Sequence, residues 1–166
     1  VLLEALQATG KPVVMVLTTG SALAVDWAQD TLPAILLAWY PGQRGGTAVA
    51  DVLFGDVNPA GRLPVTFYKA DEKLPAFDDY AMKGRTYRYF DGQPLYPFGH
   101  GLSYTRFTYS DLELDSSEGS SAQAVQVTVK IRNTGDRAGE EVVQLYLKPK
   151  QAERERARKD LRGFQR

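Results

Sequence analysis

A chain of 166 residues, 43% hydrophobic and 24% charged, holds enough material for one modest domain or two small ones. Its 20 basic residues balance its 20 acidic ones, so no global field gathers polyanions, and nucleic acid is not an expected partner. The absence of cysteine excludes disulfides and thiolate metal sites, and a lone histidine, His100, builds no metal centre by itself.

The chain opens on Val1 rather than Met, already inside a helical pattern over residues 1–8 that ends at Gly10. A start inside a helix leads to the expectation of a fragment. Val13 to Leu17 is an apolar run suited to a strand buried on both faces, followed by a small polar loop, Thr18 to Ala22. Leu23 to Gln29 carries a weak helical turn with Trp27, and Ala34 to Trp39 a second buried strand. That second run is far shorter than the roughly 20 residues of a membrane helix, so no membrane span is expected. Pro41-Gly42 breaks it, and Thr47 to Phe54 forms a helix stopped by Gly55. Buried strands alternating with short helices predict a parallel α/β sheet.

Asn58-Pro59-Ala60-Gly61 is a turn, and Leu63 to Phe67 a short edge-type strand because of Pro64. Periodicity fades from Asp71 to Tyr104, where Tyr80, Tyr87, Tyr89, Phe90, Tyr96, Phe98 and Tyr104 predict a long connection pinned by its rings. From Arg106 the pattern is β. A first strand spans about 107–114, and Ser116 to Ser121 reads as a flexible hairpin loop. Val125, Val127, Val129 and Ile131 then alternate with polar residues, Asn133 to Asp136 turns the chain, and Val143, Leu145 and Leu147 repeat the alternation. An antiparallel, immunoglobulin-type sandwich short of its full set of strands is expected.

Candidate chemistry is sparse. Pro41 to Thr47 lies between strand and helix, where glycines can cradle phosphate, yet it matches no nucleotide-binding fingerprint and reads as a tight turn with close packing. Thr18, Thr19 and Ser21 follow a strand but lack the nucleophile elbow, and read as a loop capping the next helix. His100, between glycines, reads as a packed histidine. A retaining glycosidase needs two carboxylates about 5 Å apart. Spacing singles out no such pair among Asp26, Asp30, Asp51, Asp56, Asp78, Asp79, Asp91, Asp136, Glu140 and Glu141. The mixed-sign run from Ala152 to Lys159 reads as a solvated loop. The aromatic segment is either an internal latch between domains or a sugar-stacking platform.

Taken together, five stretches resemble the C-terminal part of glycoside hydrolase family 3, in order and over nearly the whole chain. They are Tyr40 to Pro64, with PGQRGGTAVADVLFGDVNPAGRLP at its centre; Gly84-Arg85-Thr86-Tyr87-Arg88-Tyr89-Phe90; and Leu95 to Tyr104. Asn133 to Asp136 with Gly139 to Tyr146, and Leu161 to Arg166, are similar to the family's fibronectin type III-like module. The resemblance implies an exo-acting retaining hydrolase with an N-terminal TIM barrel, acting on oligosaccharides or aryl glycosides without a cofactor. It implies a barrel aspartate as nucleophile and a glutamate just upstream of Val1 as acid/base. Glu4 does not sit in the matching motif, so no catalytic residue, substrate-binding residue or metal ligand is assigned within the chain. The family often carries tyrosine where His100 stands.

The form of residues 84–88 is closer to the β-xylosidase branch than to the β-glucosidase branch. The expected organisation is α/β: a partial C-terminal α/β sandwich domain over residues 1–70, an aromatic connection over 71–105, and a truncated fibronectin type III-like, immunoglobulin-like β-sandwich over 106–166. The resemblance also implies a periplasmic or secreted parent enzyme, with the barrel as partner in cis and this chain inactive alone. The alternative from a different class is a non-catalytic β-sandwich binding or scaffolding module.

Overall fold

The computed structural model describes residues 1–116, 124–150 and 157–166. Of the loop expected over 116–121, residues 117–121 lie outside the described residues, as do 152–156 of the mixed-charge run.

The α/β part runs α1 (Leu2–Gln7), β1 (Val14–Leu17), α2 (Asp26–Thr31), β2 (Ala34–Leu37) and α3 (Gly45–Phe54). β1 and β2 pair in parallel, Val14 opposite Ala34 through Leu17 opposite Leu37. Met15, Ala28 and Leu32 form the buried cluster, with Leu3, Val13, Leu17, Val25 and Ile35 packed around it. Side chains of a strand alternate between faces. Met15 therefore turns to the helices, while Val14 and Val16 lie on an open face. The expectation of strands buried on both sides is corrected to burial on one.

Other boundaries follow local chemistry. Gly55 stops α3 in the left-handed region (φ 84°), which costs glycine little. Gly42 (φ 71°) supplies the turn before it, and Gly45 is buried with its Cα against Pro41, too close for a side chain. The polar loop after β1 does not cap α2: Thr19 Oγ1 accepts from the Ser21 N–H at 3.3 Å, and the helix begins after Val25 without a side-chain cap. Trp39 holds a positive φ of 52°, a strained state for a bulky residue, with its ring edge-on to Phe67 at 6.3 Å.

Residues 55–106 hold one short helix, α4 (Thr86–Tyr89). The edge strand expected over Leu63 to Phe67 reduces to one antiparallel bridge, Phe67 opposite Tyr96. Leu63 N also donates to His100 O at 2.8 Å, but Pro64 has no N–H to continue a ladder.

The β part consists of two antiparallel pairs, β3 (Phe107–Leu114) with β4 (Val127–Asn133), and β5 (Val143–Leu147) with β6 (Asp160–Gln165). β4 shows the expected alternation, Val127, Val129 and Ile131 being half-buried. β5 keeps the expected phase only at Val143: beyond it Gln144 and Tyr146 are half-buried, whereas Leu145 and Leu147 are exposed. Its polar face meets the aromatic connection. No helix among the described residues is long and apolar enough to cross a membrane.

Candidate functional site

The motif residues converge on the seam where the connection meets the β part. Asn58 stands at one end. Its Oδ1 accepts from Ser103 Oγ at 2.9 Å and Tyr104 N at 2.8 Å, and its Nδ2 donates to Ala138 O at 3.0 Å. Gly139 lies so close to the Asn58 amide that a Cβ there would clash. Tyr104 Oη donates to Val52 O at the end of α3 (2.8 Å), and the Arg137 guanidinium covers the Tyr104 ring at 5.8 Å. Thr105 Oγ1 donates to Asn133 Oδ1 at 2.7 Å, fixing the start of the β part to the turn after β4.

Arg62 forms the centre. Its Nη2 donates to Glu141 Oε2 at 3.0 Å, with the two side chains only 11% and 16% exposed, and its Nη1 donates to the carbonyls of Ala60 and Gly61. Desolvated pairing of this kind is strong only where the remaining donors are also satisfied. His100 lies beside it, stacked on Tyr96 with ring centroids 5.1 Å apart. Burial, then the neighbouring Arg62 charge, lowers the His100 pKa below the ordinary 6.5. Burial, then the Glu141 carboxylate, raises the Tyr109 phenol on β3. Gly99 O accepts from Gln144 Nε2 at 3.1 Å, and neither Gly99 nor Gly101 has room for a Cβ, against Gln144 and Gly61 respectively.

Rings and cations close the far end. Tyr87 stacks on Phe98 (4.4 Å between centroids) and meets Tyr146 edge-on at 5.9 Å, while Lys159 lies over Tyr146 at 4.8 Å. Arg88 pairs with Asp160 at 2.6 Å, and Arg158 with Asp91. Arg158 and Lys159, expected in a solvated loop, are anchored here instead. Tyr87, Phe90 and Phe98 with Lys148, Arg158 and Lys159 line an open cleft of about 280 Å³. Thr66 also lines it, and its Oγ1 is buried without a hydrogen-bond partner.

Among the described residues, no serine or threonine hydroxyl is hydrogen-bonded to the His100 ring. His100 is held through its backbone and its ring stack. The carboxylates are dispersed: Asp26 accepts from Ala70 N at 3.1 Å, Asp79 from Ala81 N at 2.8 Å, Asp91, Glu140 and Glu141 pair with arginines, and Asp51 lies on α3. Among the described residues no group of three or more His, Asp or Glu could hold a metal ion. Tyr96, whose hydroxyl meets Gln29, titrates above the usual tyrosine value because it is buried and faces Asp26 and Asp30. The ring segment is therefore an internal latch over Tyr87 to Tyr104. Tyr80 is the exception, standing in solvent.

Residues 1–104, from α1 through the seam motifs, match the Glycosyl hydrolase family 3 C-terminal domain. The chain belongs to glycosyl hydrolase family 3. It is 51% identical over 164 residues to a xylan 1,4-β-xylosidase of Xylanibacter ruminicola, covering 99% of this chain and 19% of that protein. It is 44% identical to a periplasmic β-glucosidase of Salmonella typhimurium, over 99% of this chain and 23% of the relative. Among solved structures it resembles β-glucosidase 3B of Thermotoga neapolitana, with a TM-score of 0.84, 36% identity, and coverage of 98% and 24%. The chain thus spans about a fifth to a quarter of the length of these relatives. The architecture is that of the family's partial α/β sandwich domain followed by a partial immunoglobulin-like β-sandwich. Family motifs that read as separate signatures meet here as one clamp. The individual partners, Arg62 with Glu141 and Asn58 with Ala138, gave no signal in the sequence beyond lying inside those motifs.

Proposed function

We propose that this chain is the C-terminal part of an exo-acting, retaining glycoside hydrolase that releases terminal β-linked xylose or glucose from oligosaccharides, with xylosides preferred. Family membership supports the hydrolase class. The lean toward xylosides rests on the Gly84 to Arg88 form and on 51% identity to a protein named as a xylan 1,4-β-xylosidase. The nucleophile and the acid/base glutamate belong to the preceding part of the enzyme, with a TIM barrel as partner in cis, and the chain alone is inactive. Its role is to brace the sugar pocket through residues 1–70, connect through 71–105 and dock the sandwich of 106–166. The single observation that carries this role is the buried Arg62–Glu141 pair that ties the first of these to the third. A periplasmic or secreted setting is in keeping with the relative named periplasmic β-glucosidase.

Hydrolysis of aryl β-xyloside and aryl β-glucoside by the full-length protein, with this chain alone as control, tests the reading. Faster cleavage of the xyloside beside an inert chain supports it. Faster cleavage of the glucoside keeps the hydrolase and removes the xylosidase preference. Turnover by the chain alone means the catalytic groups are misplaced.

A further inference from the structure

We draw no further inference here: the strongest candidate, the open cleft lined by Thr66, Tyr87, Phe98, Lys148, Arg158 and Lys159 at the seam, belongs to a chain that spans about a fifth to a quarter of its relatives, and nothing in the structure shows what covers it.

Discussion

The strands of the β part and the irregular stretch that precedes them invert the usual distribution of packing. β3 to β6 pair as hydrogen-bonded ladders, each pair with one register shift, yet Leu112, Leu114, Leu147 and Phe164 lie on open faces. The stretch from Asn58 to Thr105 has almost no regular structure, yet it holds Ala60, Thr66, Phe67 and Thr105, each at most 8% exposed. Hydrogen-bonded ladders satisfy a backbone without burying anything, whereas burial needs a second surface. The connection has two, the α/β part on one side and β5 on the other. Beyond the α/β cluster of Met15, Ala28 and Leu32, burial in this chain is therefore concentrated where regions meet rather than on the strands of the β part.

The largest effect that could break this comparison is truncation of Phe67, 2% exposed and held between Trp39 and Tyr96. Phe67→Ala is expected to lower stability by about 3–5 kcal/mol, since the lost transfer energy adds to a cavity that two edge-on rings cannot refill. Leu114→Ala in β3 should cost less than about 1 kcal/mol. Urea midpoints of the two variants in the full-length protein check the contrast. Comparable losses would mean the strands, not the seam, carry the packing.

The polar core of the seam comes next. Glu141→Gln removes the countercharge from a guanidinium that stays buried, and about 3 kcal/mol of destabilisation is expected. The loss should persist in about 0.5 M salt, because screening acts on exposed pairs far more than on desolvated ones. The ion pair between Lys130 and Asp111, both well exposed, is the internal control: Asp111→Asn should change the urea midpoint little. Parallel salt titrations of the two variants sharpen the distinction, and a Glu141 effect that salt abolishes would remove Arg62 from the centre of the clamp.

Asn58 separates the seam's donors from its acceptors. Asn58→Ala abandons Ser103 Oγ, Tyr104 N and Ala138 O together and should cost about 2 kcal/mol. Asn58→Asp keeps an acceptor for the first two and faces the Ala138 carbonyl with a carboxylate oxygen. It should recover part of the loss, measured as a urea midpoint between those of wild type and alanine. Recovery to wild type would mean the Ala138 contact contributes nothing.

Much of the α/β part was legible because its evidence is local. Apolar runs placed β1 and β2, and Gly55 marked the end of α3. The alternation in β5 gave the right period, but period does not say which face finds a partner. Gln144 and Tyr146 face inward because Gly99 O and the Tyr87 ring await them from 45 and 59 residues away in the chain. The seam was legible as motifs and illegible as contacts for the same reason: Arg62 and Glu141 lie 79 residues apart. Pro64 read as the mark of an edge strand over Leu63 to Phe67, and the structure leaves one bridge in place of that ladder.

The smallest effect expected concerns His100, which tests whether the seam responds to pH. Its folded-state pKa lies below the ordinary 6.5, through burial and then the Arg62 charge. A base whose pKa is depressed on folding binds its proton first in the unfolded state. Stability is therefore full above pH 6.5, falls as pH drops through that value toward the folded pKa, and changes no further below it. Protonation in the folded state would place a second cation beside Arg62, whose carboxylate partner among the described residues is Glu141. His100→Gln removes the titration and keeps a polar side chain of similar reach. The measurement is the melting temperature of wild type and variant between about pH 5 and 8, and the wild-type curve should fall more steeply than the variant's on the acid side. Parallel curves would mean that His100 stacks on Tyr96 without its charge mattering to the seam.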